Sequence, residues 1–119
     1  MAGPESKSFD SPDEVRPAGL GKMQIVKLAA GAVGLGVFEP GWRWSKDVKP
    51  IAGTESCQAQ HFGYVLSGRM HARMDDGTEA EVGPGDVVYL PAGHDAWIVG
   101  DETCRLVDWA GAGTWAKPA

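Results

Sequence analysis

The 119-residue chain has little of several things that would point to common functions. It carries only two cysteines, Cys57 and Cys104, too few for a disulfide scaffold, and both read as thiols. No apolar run approaches the ~20 residues of a membrane span. The polar opening MAGPESKSFDSPDEVRPAG also lacks the apolar centre of a signal peptide, so a cytoplasmic protein without a membrane partner is expected. Eleven Lys and Arg stand against 16 Asp and Glu, a net charge of −5, which leaves no basic stripe for nucleic acid. A phosphate-cradling glycine loop, a Ser–His–Asp order and paired helical carboxylates are all missing. Small molecules and other proteins remain as partners.

Turn chemistry is abundant instead. Seventeen Gly and eight Pro are more than long helices tolerate, and they separate short apolar or alternating runs. Such runs occur at residues 23–28, 33–39, 64–66, 70–74, 78–82, 87–90, 96–99 and 103–109, with Asp76-Gly77 as a hairpin signal. Trp42-Arg43-Trp44 gives a further strand-like burst, and residues 46–54 read as a loop. About eight short strands at regular spacing predict an all-β sandwich or small barrel over residues 21–110. Residues 1–20 are too polar to offset the entropy of ordering and read as a flexible arm, free to lie along a sheet edge. Residues 111–119 are left as a C-terminal tail.

Gly85, followed after five residues by Pro91 and then by Gly93, resembles the second signature of the cupin superfamily, in which this spacing precedes a metal-binding histidine. The first signature of that family places two histidines and an acid ahead of a glycine. Aligned on Gly68, the chain carries Glu55, Cys57 and His61 at those places, ligand types in permuted order. The family's later histidine falls three residues after its glycine, which here is Ala96, whereas His94 follows Gly93 directly. Residues 94 and 96 share a strand face, which lets His94 replace the missing ligand. The resemblance spans roughly residues 22–109. It implies a single-domain jelly-roll β-barrel, often a homodimer, with a metal in its mouth.

The residues support a metal on their own account. A transition-metal site needs three or four N, S or O donors about 2.0–2.3 Å from one point. The His and Cys of the middle of the chain are Cys57, His61, His71 and His94. On one unbroken strand Cys57 and His61 would lie about 13 Å apart, so they meet only if Gln58-Ala59-Gln60 is a tight connection. A thiolate and two imidazoles, completed by Glu55 or water, suit zinc, iron or copper better than magnesium or calcium. The competing readings are a core cysteine, a hydrogen-bonded core His61, a surface His94 paired with Asp95, and a loop carboxylate at Glu55. His71, in a row with Arg69 and Arg73, is expected to face solvent. Trp42, Trp44 and Trp109 read as core or dimer-interface residues, whereas Trp97, Phe62 and Tyr89 are the expected pocket wall. Asp95, Tyr89 and Glu55 are the candidate acid–base groups. The leading functional expectation is a metal-dependent dioxygenase or isomerase acting on a small organic acid, phenol or diketone. The alternatives are a ligand- or metal-sensing module without turnover, and a barrel that has lost its metal and acts through protein contacts.

Overall fold

A computed structural model describes residues 3–118. The strands, in chain order, are β1 (Glu14–Ala18), β2 (Gly21–Leu28), β3 (Gly31–Phe38), β4 (His61–Ser67), β5 (Arg69–Met74), β6 (Glu79–Val82), β7 (Val87–Leu90), β8 (His94–Val99) and β9 (Cys104–Asp108). Two four-residue helical turns, α1 (Trp44–Asp47) and α2 (Lys49–Ala52), interrupt the series between β3 and β4. Pairing is antiparallel throughout. One sheet has the order β1-β2-β3-β9-β4-β7 and the other β6-β5-β8, the jelly-roll arrangement expected of the sequence. Strand alternation sends Met23 and Ile25 of β2, Val65 of β4 and Leu106 of β9 inward from the larger sheet. They meet Met70, Ala96 and Ile98 of the smaller one, and the core lies between.

Three segments differ from the sequence reading. The Trp42-Arg43-Trp44 burst makes only a single bridge, Arg43 to Trp97, before α1 begins at Trp44. The expected loop that follows contains α2, which closes at Gly53 in the left-handed region (φ 76°). Four residues are too few to show a helical period, so neither turn had a signature. The polar arm is a strand in its second half. Glu14–Ala18 pairs with β2 because Ala18 and the stem of Arg16 bury there. Ahead of it, Lys7 pairs with Asp13 at 3.0 Å, and the Phe9 carbonyl accepts from the Gln24 amide at 3.3 Å.

The C-terminal tail is also packed. Ala112, Trp115 and Ala116 are buried, and the Trp115 ring lies 5.9 Å from Phe38 and 6.5 Å from Trp42. Nη1 of Arg16 donates to the carbonyls of Ala112 and Gly113, both at 3.2 Å, and of Trp115 at 2.7 Å. Nη2 holds Glu14 at 2.5 Å. The first strand thus pins the last turn of the chain.

The outward parity of the larger sheet is apolar on its β9-β4-β7 side. Across the strands, Leu35 lies opposite Val107, Val107 opposite Tyr64, and Tyr64 opposite Val87. In the adjoining row Phe62 lies opposite Tyr89, with the Trp109 ring 5.8 Å from Phe62. Val87 is 66% exposed, Tyr89 64%, Phe62 49% and Trp109 48%. Leu35, at the β3 end of the row, is buried, so the exposure lies on β4, β7 and Trp109.

Candidate metal centre

His61 opens β4 on its inward parity, and Gly93, at φ 91°, makes the left-handed turn that delivers His94 into β8. Cys57 is stitched to that turn by its backbone. Its N–H donates to the His94 carbonyl at 2.7 Å, and its own carbonyl accepts from Gly93 N–H at 2.7 Å. Residues 58–60 then form the connection that returns the chain to His61. The imidazole Nε2 of His61 lies 3.8 Å from Cys57 Sγ, and the two imidazole rings are 5.4 Å apart. One donor atom each from Cys57, His61 and His94 falls within 4.8 Å of the others. The expected trio is therefore brought together.

The remaining ring nitrogens are occupied. Nδ1 of His61 donates to Asp108 Oδ2 at 2.5 Å, and Nδ1 of His94 donates to the Pro91 carbonyl at 2.6 Å. Both bonds turn Nε2 toward the cluster, as second-sphere partners of metal-bound histidines do. Asp108 sits on β9 between Gly34 of β3 and Gly63 of β4; a Cβ at Gly34 would press on Ala112 and Met23, and one at Gly63 on the Val107 carbonyl, so the row packs closely around it. Its Oδ1 accepts from the N–H groups of Ala110 and Gly111, each at 3.0 Å. A Cβ at Gly111 would collide with His61 Nδ1, so only glycine lets the tail turn over the site.

Electrostatics favour a soft anionic donor. Burial pushes the Cys57 thiol up, but hydrogen bonds and charge from His61 and His94 outweigh it and bring it down to about 6. Burial disfavours protonated His61, yet the Asp108 and Cys57 anions raise it to about 9. Burial also opposes the charge on Asp108, and the bonds from His61 and the two amides hold it below the usual carboxylate range. Cys104 has no such partners. Burial and Glu102 push its thiol up to about 11.

A cavity of about 210 Å³ lies between the sheets. His61, His94 and Asp108 make its polar end, and Trp42, Trp44, Phe38, Met70, Leu106 and Trp115 are among its apolar walls. A second recess of about 310 Å³ is lined by Cys57, Trp44, Trp115 and residues 114–118. Cys57 thus reaches the cluster from the wall shared with that recess, and Trp115 lines both spaces.

The other expected site residues lie elsewhere. Glu55 is paired with Lys49 at 3.0 Å, with its side chain 97% exposed, and is not part of the cluster. Asp95 and Trp97 share the outward parity of β8, opposite to His94. The Asp95 carboxylate accepts from Arg43 Nε at 3.2 Å and from Ser45 N–H at 3.0 Å. Trp97 is sandwiched between the Arg43 guanidinium, 4.3 Å from its ring centre, and the stacked His71 ring. His71 lies on the outer face of β5 as expected, half-buried there against Trp97 and bonded to Glu79 at 2.8 Å. Phe62 faces outward on β4, and Tyr89 borders the cavity on the edge strand. Sequence reasoning passed over Asp108 and Trp115. For Asp108 a signal existed: it continues the inward alternation Cys104, Leu106, Asp108 of the last strand.

Two antiparallel sheets enclosing a cavity, with a Cys–His–His cluster at its polar end, define a jelly-roll protein with a possible metal-binding group. A family model described as a cupin domain matches residues 51–110, and the chain belongs to that family. No functionally curated protein matches the sequence. Among solved structures, the polyketide cyclase RemF from Streptomyces resistomycificus is 19% identical, with 91% of this chain and 79% of that one covered and a TM-score of 0.61. The Cnp3 cupin domain of Schizosaccharomyces pombe is 18% identical over 87% of this chain and 70% of that one, with a TM-score of 0.60. A protein of unknown function from Acidithiobacillus ferrooxidans is 20% identical over 81% of this chain and 86% of that one, with a TM-score of 0.57. At these identities the likeness is one of fold.

Proposed function

We propose that this cupin binds one divalent transition metal through Cys57, His61 and His94 and acts on a small organic molecule held in the adjoining cavity, as an isomerase or a dioxygenase. The observation that carries this is the convergence of three donor atoms within 4.8 Å at the polar end of an otherwise apolar cavity. The donor set fits the group. A thiolate with two Nε2 imidazoles, each fixed from behind, suits zinc, iron or copper. Glu55 stays with Lys49, so three protein ligands leave a position for a substrate oxygen or water. That favours turnover over a closed structural or sensing metal.

When bound, such a metal supplies Lewis-acid polarisation of a coordinated oxygen. The chain's own residues do the rest. Asp108 fixes the tautomer and ring direction of His61, and the Pro91 carbonyl does the same for His94. The aromatic walls exclude water and strengthen every charge interaction inside.

Metal analysis of protein purified without a histidine tag tests the reading. One metal per chain is expected in the wild type, with loss in His61→Ala and Cys57→Ala. A wild type that stays empty after incubation with zinc, iron and copper would end it. Oxygen uptake over a panel of phenols and diketones then separates dioxygenase from isomerase chemistry. We also infer a homodimer formed through the uncovered face of β9, β4 and β7, and a cytoplasmic location.

A further inference from the structure

The smaller sheet has an unusual middle. In its register Ala72 of β5 lies directly opposite Ala80 of β6 on one side and Ala96 of β8 on the other. All three alanines line the cavity. Strands favour β-branched and aromatic residues, and a row of such side chains here would fill the space. The alanine row is thus what keeps the cavity open, as a slot between the smaller sheet and the aromatic wall of Phe38, Trp42 and Trp44.

Charge is confined to one end of that slot. His61, His94 and Asp108 are there, and no Lys or Arg lines any part of the cavity. The other polar groups among the lining residues are the indoles of Trp42, Trp44 and Trp115 and the Tyr89 hydroxyl, none of them a cation. Trp42 is 2% exposed and lines the cavity, and among the described residues its Nε1 is the buried side-chain polar atom without a hydrogen-bond partner. A buried donor left unpaired costs free energy that an acceptor on a bound molecule would recover.

We infer that the cavity binds a flat, single-ring molecule with one metal-binding oxygen group, such as a carboxylate, phenolate or enolate, at the His61–His94 end and no charge at the other. This rests on the metal reading above and deepens it. At interior packing density, about 0.74, a cavity of 210 Å³ holds about 155 Å³ of ligand, the size of a substituted benzene. A second anion in the cavity has no cation to meet and its burial is strongly disfavoured, whereas a neutral oxygen carries no such cost and can pair with an indole of the wall.

Calorimetric titration of the zinc-loaded full chain with para-acetylbenzoate and terephthalate tests this. The two probes have nearly the same shape, and both offer a carboxylate to the metal, but the second is also charged at its far end. Para-acetylbenzoate should bind at least about a hundredfold more tightly. Ala72→Leu should weaken its binding about tenfold or more while one zinc per chain is retained. Ala80→Leu, closer to the surface, serves the same purpose if Ala72→Leu does not fold. A chain that holds no zinc overturns the metal reading and this inference together. A zinc-loaded chain that binds both probes equally, binds neither, or binds para-acetylbenzoate unchanged with the row filled overturns the inference alone.

Discussion

Replacing Asp108 with asparagine keeps the acceptor for Ala110 and Gly111 N–H but turns an amide toward His61 Nδ1. That nitrogen must then accept, which moves the ring proton to Nε2, where a metal would bind. We expect Asp108→Asn to lower zinc affinity about 10- to 100-fold with the fold intact, read by competition with a chromogenic chelator. Unchanged affinity would show that the carboxylate is only structural. Protons give a second measure. Between about pH 6 and about pH 9 the metal-free site holds a Cys57 thiolate and a His61 imidazolium. Zinc uptake in that window should expel about one proton, from His61. The number should fall toward zero above about pH 9, where His61 is already neutral, and rise below about pH 6, where the thiol must ionise as well. Calorimetry in buffers of differing ionisation enthalpy counts those protons, and release of none at pH 7.5 would contradict the assignment. The two thiols should also differ in reactivity. Iodoacetamide should modify Cys57 in the metal-free protein and spare Cys104, whose thiol is buried and raised to about 11, as mass spectrometry of native protein would show.

At the scale of elements, β1 matters through what it holds. Arg16→Met would remove the donors that three tail carbonyls share, and should destabilise the chain by about 2 kcal/mol. Urea unfolding would show a lower midpoint, and chymotrypsin would cut at Trp115 faster than in the wild type. Equal cleavage rates would mean that the tail is held by its own packing. Much of the element pattern was legible in the sequence. The hairpin at Asp76-Gly77 and the turns at Gly85 and Gly93 appear where their residues demand, and the Cys57–His61 spacing forced the short connection between them. Period-two alternation also contained more than was read from it. With His61 and His94 inward, Phe62, Asp95 and Trp97 had to face outward, so of the expected pocket wall Tyr89 alone borders the cavity. Asp108 could not be tied to His61 from the sequence, because they meet only when β9 inserts between β3 and β4. A pairing of strands distant in the chain leaves no local mark. The tail reads as a run of small residues apart from Trp115 and Lys117. Its polar partner, Arg16, lies nearly the whole chain away.

The whole molecule carries a net charge of −5, yet one of its faces is apolar and nearly uncharged at its centre. Phe62, Tyr64, Leu66, Val87, Tyr89 and Trp109 together expose on the order of 600 Å². With half-buried Val33 and Val107 the patch approaches the ~800 Å² per partner of a stable complex. A second copy offers the same surface about a two-fold axis. Sedimentation should give twice the chain mass for the wild type. Val87→Lys with Tyr89→Lys should give a monomer with unchanged circular dichroism, while Ile51→Lys, off this sheet, should remain dimeric. A monomeric wild type, or a dimer indifferent to those lysines, would remove the face from consideration. A last consequence concerns Trp115, which stands as a bulkhead between two chambers. His61 and His94 line the first chamber and Cys57 the second, so the imidazoles and the sulfur of one cluster face different spaces. Trp44 borders both chambers too, so the two indoles together form the partition that separates them.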